Sequence, residues 1–321
     1  INGFGRIGRT LCRVLMERED VELLAINDLA EINTLAHLLK YDSVHGRFPG
    51  EIHVEDDKLI INGHSIMVFN SKDIEALDWA SLKVDIVVES TGFFRTKALA
   101  SKHLKAGAEK VIISAPPAEE GIKTVVLGVN DQIIDGDELL ISNASCTTNC
   151  AAPMVKIIDE LCGVQQAYIT TVHSYTGDQR LHDSPHKDLR RARAGAKASV
   201  PTTTRAAKAI GKIFPHFEIG GCGIRVPVSN GSLTDITFIV DRETSIEEVN
   251  EAFKKASAGE MKGILSYITD PIVSVDIIGN PYSCVFDSLL TSVLGKMVKI
   301  VGWYDNEMGY SNRLADLIRH L

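Results

Sequence analysis

Cys146 is the residue of this sequence best suited to nucleophilic chemistry. It lies in the run Ser145-Cys-Thr-Thr-Asn-Cys150, directly before an apolar segment. Pro153 lacks an N–H and fits only the first turn of a helix, so we expect a helix to begin near Asn149 or Cys150, with Cys146 just ahead of it. The positive end of such a helix lowers the pKa of a thiol and favours the reactive thiolate.

His173 is a candidate partner for this thiol. It lies in the strand-like run Ile169-Thr-Thr-Val-His-Ser-Tyr-Thr176, although the other nine of the ten histidines remain alternatives. An imidazolium beside Cys146 would lower the thiol pKa further. Two other interpretations stay open, a buried structural cysteine and a zinc site that includes Cys150, but the zinc site lacks a fourth ligand at a suitable spacing. We predict no metal.

Three glycines near the start of the sequence predict a dinucleotide-binding loop. Gly3, Gly5 and Gly8 form the pattern G-x-G-x-x-G. The first glycine permits a tight turn, the second lets a pyrophosphate approach the backbone, and the third permits close packing of helix and strand. Asp28 follows twenty residues after Gly8, where a carboxylate binds ribose hydroxyls and repels a 2′-phosphate. The alternative is a glycine-rich turn with a surface aspartate, but the two features in register favour NAD.

A basic segment, 187–197, stands out in an otherwise acidic chain, and Thr202, Thr203 and Thr204 follow it. Arginine and threonine side chains suit a small phosphate, through bidentate contacts and hydroxyl donors, and Arg225 is a further candidate. The alternative is a solvated, mobile loop. No aromatic residue interleaves with the arginines, so we expect no nucleic acid there.

The elements that must position these residues follow from the hydrophobic pattern. In the first half, short apolar runs alternate with helical segments, which predicts parallel strands joined by helices. Strands are expected at 21–26, 84–88, 110–113 and 124–127, and helices at 6–19 and 97–106. In the second half, alternating runs at 233–240 and 296–301 predict antiparallel strands, a capping box at 245–248 begins a helix, and 311–321 forms another.

The composition is that of a globular protein with two domains. The chain has 321 residues, of which 45% are apolar and 24% charged, and a net charge of −8. The acidic balance argues against nucleic acid or a membrane surface as a partner, and no run reaches the roughly 18 apolar residues of a membrane span. Six sparse cysteines indicate free thiols and a cytoplasmic location. Most of the strand expected before the glycine loop is absent, so we expect a few residues to precede Ile1.

Several motifs together resemble those of the phosphorylating, NAD-dependent glyceraldehyde-3-phosphate dehydrogenase family of glycolysis. The matching segments are 1–9, 41–46, 142–150, 173–176, 188–193, 259–263 and 303–307. They keep the family's order along the whole chain, and the run around Cys146 is the most specific. The resemblance implies an α/β fold with a doubly wound, Rossmann-like NAD-binding domain over 1–145, to which a C-terminal helix, 309–321, returns. It also implies an α+β catalytic domain with a mixed or antiparallel sheet over 146–308, and a homotetramer.

The resemblance further implies oxidation of glyceraldehyde 3-phosphate, with NAD and inorganic phosphate, to 1,3-bisphosphoglycerate. Cys146 would carry a hemithioacetal and then a thioester, with His173 as acid and base. The residues implied for the substrate's phosphate are Thr176, Asp178, Arg191 and Arg225, and those for inorganic phosphate are Ser145, Thr147, Thr204 and Arg205. The residues implied for the cofactor are Gly3, Gly5, Arg6, Ile7, Gly8, Asp28, Lys72, Ser90, Thr91, Ser114 and Asn306. Asn306 would fix the carboxamide of the nicotinamide.

Three positions depart from the family's usual pattern. Arg205 replaces a glycine and either strengthens or crowds phosphate binding, Lys72 replaces an arginine near the adenine, and Ser184 weakens the exclusion of NADP. Two other functions stay open. One is an erythrose-4-phosphate dehydrogenase, which releases an acid by hydrolysis. The other is a non-catalytic thiol sensor or scaffold, whose reactive cysteine is oxidised to a sulfenic acid.

Overall fold

A computed structural model describes residues 1–321 as two compact units. Unit 1 comprises 1–125, 131–144 and 311–321, and unit 2 comprises 126–130 and 145–310. The short excursion of 126–130 into unit 2 has no counterpart in the division expected from sequence, because no change of pattern marks it. None of the helices combines the length and the apolar character needed to cross a membrane.

Unit 1 contains two four-stranded sheets and three complete helices. Its elements are α1 (Arg6–Leu15), β1 (Ala25–Asn27), α2 (Ile32–Lys40), β2 (Tyr41–Asp42), β3 (Gly46–Arg47), β4 (Ile52–Glu55), β5 (Lys58–Ile61), β6 (His64–Phe69), β7 (Ile86–Glu89), α3 (Lys97–Lys105), β8 (Lys110–Ile113), β9 (Lys123–Thr124) and β10 (Leu140–Ser142). One sheet has the order β7-β8-β10-β9 and is parallel throughout. The other has the order β1-β6-β5-β4, with β1 and β6 parallel. Asn2 forms parallel bridges to both Asn27 and Glu89, so the residue before the glycine loop links the two sheets.

The alternation of parallel strands and helices confirms the α/β fold expected for this half, although several elements are shorter than predicted. Helix α1 ends at Leu15 instead of residue 19, because the charged run 17–20 offers no apolar side chain to bury. The strand expected at 124–127 ends at Thr124, since residues 126–130 belong to unit 2.

Unit 2 is built on one large mixed sheet. Its elements are α4 (Cys146–Cys162), β11 (Val164–Ser174), β12 (Val200–Thr202), α5 (Ala206–Ile213), β13 (Glu218–Val226), β14 (Ser232–Val240), α6 (Ile246–Ala258), β15 (Leu265–Ile268), β16 (Cys284–Asp287), β17 (Ser292–Leu294) and β18 (Met297–Tyr304). The strand order is β12-β13-β11-β14-β18-β16-β15, and β17 pairs with β18. The pairs β11/β13 and β15/β16 are parallel and the others antiparallel, which confirms the expected mixed sheet. Helix α7 (Met308–His320) begins in unit 2, and its residues from 311 onward belong to unit 1.

Helix α4 begins earlier than the sequence predicts. Ser145 is its N-cap, with the side-chain oxygen accepting a hydrogen bond from Thr148 N at 3.1 Å, and Asn149 N donates to Ser145 O at 2.9 Å. The prediction that the helix begins near Asn149 is therefore wrong, and Pro153 lies inside the helix. An interior proline costs about 3 kcal/mol, which the cap and the nearly complete burial of α4 offset.

Helix α4 rests closely on strand β18 at Gly302. A Cβ atom added at Gly302 would lie 2.6 Å from Cys284 Sγ, 2.6 Å from Met154 Sδ and 3.3 Å from Cys150 Sγ. A side chain at this position would force these sulfur atoms to move. Gly302 therefore permits the close packing of α4 and β16 against β18.

Helix α6 keeps half of its predicted capping box. Ser245 Oγ accepts a hydrogen bond from Glu248 N at 3.1 Å, as expected of the cap. The carboxylate of Glu248 does not return to the Ser245 backbone. It binds Arg242 at 2.6 Å and Thr244 at 2.7 Å, because a charged partner gives a stronger hydrogen bond than a backbone amide.

Candidate active site

The predicted nucleophile and its predicted partner lie side by side in unit 2. Cys146 is the first residue of α4, and His173 is the penultimate residue of β11. Cys146 Sγ lies 3.5 Å from His173 Nε2. His173 is buried, whereas Cys146 keeps partial exposure. A thiol in contact with an imidazole and still open to solvent has the geometry of an activated nucleophile.

Arg225 is the third member of this group. Strands β11 and β13 are parallel, and their register places Arg225 opposite His173. Arg225 Nη1 contacts His173 Nδ1 and donates to Ser174 O at 3.1 Å. The same carbonyl oxygen lies 2.8 Å from His173 Nδ1. A guanidinium can only donate and a carbonyl oxygen can only accept, so Nδ1 cannot satisfy both neighbours. We assign the proton of the neutral imidazole to Nδ1, facing Ser174 O, and direct the Arg225 N–H to the same carbonyl oxygen, so that Nε2 presents its lone pair to the thiol.

The surroundings keep His173 neutral. Burial lowers its pKa to about 3, and the positive charge of Arg225 acts in the same direction. A neutral imidazole with a lone pair on Nε2 is a base ready to accept the proton of Cys146.

Burial raises the pKa of the Cys146 thiol, whereas the charge of Arg225 and hydrogen bonds from Thr147 lower it. The effect of burial is the largest. The hydrogen bonds from Thr147, at the helix start, lower this pKa as expected, but burial outweighs them, because the surrounding protein atoms displace much of the water that would solvate a thiolate. Transfer of the proton to His173 would create two opposite charges in contact, which would stabilise each other.

Tyr304 supports this group and was not identified as a site residue from the sequence. Its hydroxyl lies 2.9 Å from Thr147 Oγ1, and its ring meets that of His173 edge-on at 6.0 Å between centroids. Burial holds the pKa of Tyr304 well above its usual value, so the phenol stays protonated. Tyr304 lies within the motif 303–307, whose only residue assigned from the sequence was Asn306. This motif was therefore the sequence signal that could have identified Tyr304 as a site residue.

The basic segment is organised around Arg191. Its guanidinium forms an ion pair with Asp178 and donates to Thr202 Oγ1 from Nε at 3.0 Å and from Nη2 at 2.7 Å. Thr176 accepts a backbone hydrogen bond from Gln179 N at 2.9 Å and so forms the turn that carries Asp178. The structure therefore brings Asp178 and Arg191 together and adds Thr202, which the sequence placed only in a run of threonines.

The residues expected to bind inorganic phosphate are more dispersed. Ser145 Oγ is engaged in capping α4, and Thr147 Oγ1 contacts Tyr304. Thr204 Oγ1 accepts a hydrogen bond from Ala206 N at 3.2 Å, and Arg205 is exposed at the start of α5. No hydrogen bond joins Thr204 or Arg205 to the other residues expected to bind phosphate.

The glycine loop of unit 1 fits a dinucleotide. Gly3 has a φ of +91°, and a Cβ there would lie 2.8 Å from Thr91 N. A Cβ at Gly8 would lie 2.2 Å from Gly3 O, so only glycine permits this close contact. In contrast, a Cβ at Gly5 would meet nothing within 4 Å. Gly5 thus faces open space, where a pyrophosphate can approach the N-terminus of α1.

The other residues expected to bind the cofactor surround this loop. Asp28 accepts hydrogen bonds from Phe4 N at 2.7 Å and Ala30 N at 3.0 Å. Ser90 Oγ donates to Gly3 O at 2.6 Å. Arg6 forms an ion pair with Asp42, and Ile7 lies in α1. Two residues contact Glu89: Thr91 N donates to its carboxylate, and Ser114 N donates to its backbone oxygen at 2.9 Å. Lys72 is exposed. Ser90 therefore braces the loop through its hydroxyl.

A buried polar network lies behind the loop and was not predicted. Glu89, at the end of β7, accepts hydrogen bonds from the Asn2 amide and from His103 Nε2, the latter at 3.1 Å. Its other oxygen accepts from Thr91 N at 2.8 Å. Trp79 Nε1 donates to His103 Nδ1 at 3.2 Å, and an indole N–H can only donate. His103 therefore carries its proton on Nε2 and donates to Glu89.

Asn306 lies beyond the end of β18 and is buried. Its Oδ1 accepts a hydrogen bond from Ser174 Oγ and another from Ser232 Oγ, both at 2.9 Å. It is thus joined to the residue that follows His173. No group of three or more histidine, cysteine or acidic side chains is arranged to hold a metal ion.

Comparison with known proteins gives matches over both units. A family model described as "Glyceraldehyde 3-phosphate dehydrogenase, NAD binding domain" matches residues 1–97, and one described as "Glyceraldehyde 3-phosphate dehydrogenase, C-terminal domain" matches residues 145–306. The chain is 54% identical to glyceraldehyde-3-phosphate dehydrogenase 2 of Streptomyces avermitilis, over 99% of this chain and 96% of that protein. It is 52% identical to glyceraldehyde-3-phosphate dehydrogenase of Geobacillus stearothermophilus, over 100% of this chain and 97% of that protein. With the enzyme of Mycobacterium avium the identity is 51%, over 99% and 96%.

Proposed function

The chain belongs to the glyceraldehyde-3-phosphate dehydrogenase family, and on that premise we propose that it oxidises glyceraldehyde 3-phosphate through a covalent intermediate on Cys146. The chain is an NAD-dependent oxidoreductase of this family. The observation that carries the assignment of the nucleophile is the contact of 3.5 Å between Cys146 Sγ and His173 Nε2. The other five cysteines make no such contact with a histidine.

In the proposed mechanism, His173 Nε2 accepts the thiol proton and Cys146 Sγ attacks the aldehyde carbon. The imidazolium returns the proton to the carbonyl oxygen, which gives a hemithioacetal. Nε2 then takes the hydroxyl proton while a hydride leaves the carbon, and a thioester remains on Sγ. NAD, when bound, supplies the acceptor for this hydride. Inorganic phosphate attacks the thioester, the Cys146 thiolate leaves, and His173 returns the proton to Sγ.

Two anion sites are part of the proposal. Thr176, Asp178, Arg191 and Arg225 would bind the phosphate of the substrate, and Ser145, Thr147, Thr204 and Arg205 would bind inorganic phosphate. Arg225 supports this arrangement because it is a largely desolvated cation in contact with His173. A desolvated guanidinium gains more from an anionic ligand than an exposed one does.

The proposed cofactor residues are those of the glycine loop and its surroundings, including Asp28 and Ser114. The open face of Gly5 supports an approach of the pyrophosphate to the start of α1. The hydrogen bond from Phe4 N shows that Asp28 lies beside this loop, which supports the proposal that its carboxylate accepts from ribose hydroxyls. We further propose a homotetramer in the cytoplasm, supported by large exposed apolar side chains and by six free cysteines.

The test is the formation of NADH at 340 nm from glyceraldehyde 3-phosphate and NAD, with and without inorganic phosphate. We expect turnover that requires phosphate, is lost in Cys146→Ser and is retained in Cys222→Ser, a matched control in a half-buried cysteine of β13. Turnover indifferent to phosphate would favour hydrolysis of the thioester, as in an erythrose-4-phosphate dehydrogenase. An enzyme without turnover, but with a peroxide-reactive Cys146, would favour the thiol sensor.

A further inference from the structure

Two buried serines hold the amide of Asn306. Ser174 ends β11, directly after His173, and Ser232 begins β14, the neighbouring strand. Asn306 follows β18, which pairs with β14 on its other side. The exposed fractions of the three residues are 0%, 1% and 6%. Three adjacent strands of one sheet therefore bring two hydroxyls to one amide oxygen.

The hydrogen bonds select one orientation of this amide. Ser174 N donates to Ser232 Oγ at 3.1 Å, and a backbone N–H can only donate. The Ser232 oxygen accepts this bond, so its own hydrogen is directed to Asn306 Oδ1. If the amide were turned around, its NH2 group would face this hydroxyl, whose hydrogen would then lack an acceptor in a buried place. That loss disfavours the turned amide.

The backbone on either side of Asn306 is also held. Asp305 Oδ1 accepts hydrogen bonds from Glu307 N and Met308 N, each at 2.8 Å, and Oδ2 accepts one from Gly279 N at 2.8 Å. Because main chain and amide oxygen are both fixed, the direction of Asn306 Nδ2 is fixed as well.

We infer that Ser174 and Ser232 are positioning residues that keep the Asn306 NH2 group turned toward the cofactor as a hydrogen-bond donor. The inference rests on the proposed function and on the role that the family resemblance implies for Asn306, which would donate to the carboxamide of the nicotinamide. Two hydroxyls occupy Oδ1, so the amide offers only donors, and these match the carbonyl of a carboxamide. A turned amide would offer an oxygen to that carbonyl. The serines thereby determine which face of the nicotinamide ring is presented to the substrate.

The test is the stereochemistry of hydride transfer in the variant Ser174→Ala/Ser232→Ala. Substrate with deuterium on the aldehyde carbon places deuterium on one of the two faces of C4 of NADH, which NMR distinguishes. We expect one diastereomer from the wild type and two from the double variant, whose KM for NAD rises about 10-fold, the effect of one lost hydrogen bond. Each single variant keeps one donor, so we expect one diastereomer and a rise in KM within about threefold.

Thr234→Val is the matched control. Thr234 lies two residues after Ser232 on β14, is fully buried, and its hydroxyl has no hydrogen-bond partner. Valine has the same shape, so we expect unchanged KM and one diastereomer. If the double variant does not fold, Asn306→Asp takes its place, because a carboxylate accepts from both serines but carries no NH2 group. It should raise the KM for NAD to a similar extent.

The outcomes separate this inference from the proposed function. An active wild type, together with a folded double variant of unchanged KM and one diastereomer, would contradict the positioning role and leave the proposed function standing. For the fallback variant, an unchanged KM for NAD would show that Asn306 does not donate to the carboxamide, which would contradict the inference at its premise. A wild type with no turnover would overturn both. A purely structural role predicts lower thermal stability of the double variant with unchanged stereochemistry, and would also contradict the inference.

Discussion

The position of His173 beside Cys146 has an electrostatic cost. It is surrounded by protein atoms and contacts a cation, and its pKa is lowered to about 3. The unfolded chain exposes the same imidazole to water, where its pKa is about 6.5. Between these two values the unfolded state binds a proton that the folded state does not.

The first prediction concerns acid stability. The contribution of the neutral His173 to the free energy of unfolding is fully present above pH 6.5. It is lost as the pH falls toward 3, because protons then favour the unfolded state. Because of His173, the free energy of unfolding of the wild type should be about 2 kcal/mol lower at pH 5 than at pH 7. In His173→Gln, the decrease in unfolding free energy between pH 7 and pH 5, measured by urea unfolding, should be correspondingly smaller. The exposed His64→Gln serves as control, and equal losses in wild type and His173→Gln would contradict the prediction.

The second prediction concerns the choice of cofactor. Asp28 accepts hydrogen bonds from Phe4 N and Ala30 N, and its charge would repel a 2′-phosphate. Asp28→Asn keeps an acceptor of similar shape and removes the charge. We expect the ratio of kcat/KM for NADP to that for NAD to rise about 10-fold or more, as one lost ionic repulsion predicts. An unchanged ratio would show that Asp28 does not discriminate between the cofactors.

At the scale of elements, the third prediction concerns the contact of α4 with β18. Gly302→Ala places a Cβ 2.6 Å from the sulfur atoms of Cys284 and Met154, so these side chains, or the elements that carry them, must shift. Overpacking of this kind costs about 1–3 kcal/mol of unfolding free energy. Because Cys146 begins α4, its alkylation by iodoacetamide should also slow. Gly223→Ala is the control, since its Cβ would meet nothing closer than 3.6 Å; equal stability of the two variants would refute the contact.

The fourth prediction concerns the network behind the glycine loop. Glu89 accepts from Asn2, His103 and Thr91, all of them donors. Glu89→Gln turns an NH2 group toward some of these donors, which should lower the unfolding free energy by about 1–3 kcal/mol and raise the KM for NAD. Glu109→Gln, in an exposed residue, should change neither quantity. If Glu89→Gln kept the wild-type unfolding free energy and KM for NAD, Glu89 would not support the glycine loop.

Local patterns were sufficient for some of these elements and residues, and insufficient for others. The apolar run 110–113 predicted β8 to the residue, and the spacing of glycines agrees with the contacts of Gly3, Gly5 and Gly8. The start of α4 was missed because the N-cap of Ser145 and the packing of the helix outweigh the preference of Pro153. Tyr304 contacts Thr147 and Glu89 contacts Asn2, each more than 85 residues away in sequence, and no local pattern records such contacts.

At the scale of the whole molecule, exposed apolar side chains favour the proposed homotetramer. Leu189, Leu181 and Tyr168 are 81%, 76% and 53% exposed. Large apolar residues in such numbers mark interaction surfaces when they cluster. The fifth prediction is a mass by light scattering of about four times the 35.0 kDa of the chain, as a homotetramer requires. A mass near that of one chain, independent of concentration, would exclude it.

The division of the chain into units has a consequence for folding during synthesis. Residues 311–321 belong to unit 1, whereas 145–310 of unit 2 are contiguous. Leu314, Ala315 and Leu317 are fully buried, and Arg18 binds Asp316 at 2.8 Å. On the ribosome, unit 2 therefore has all its major elements before unit 1 can close its core. The half of the protein that is translated first is the last to be completed, and until then it offers chaperones the apolar surface that α7 covers.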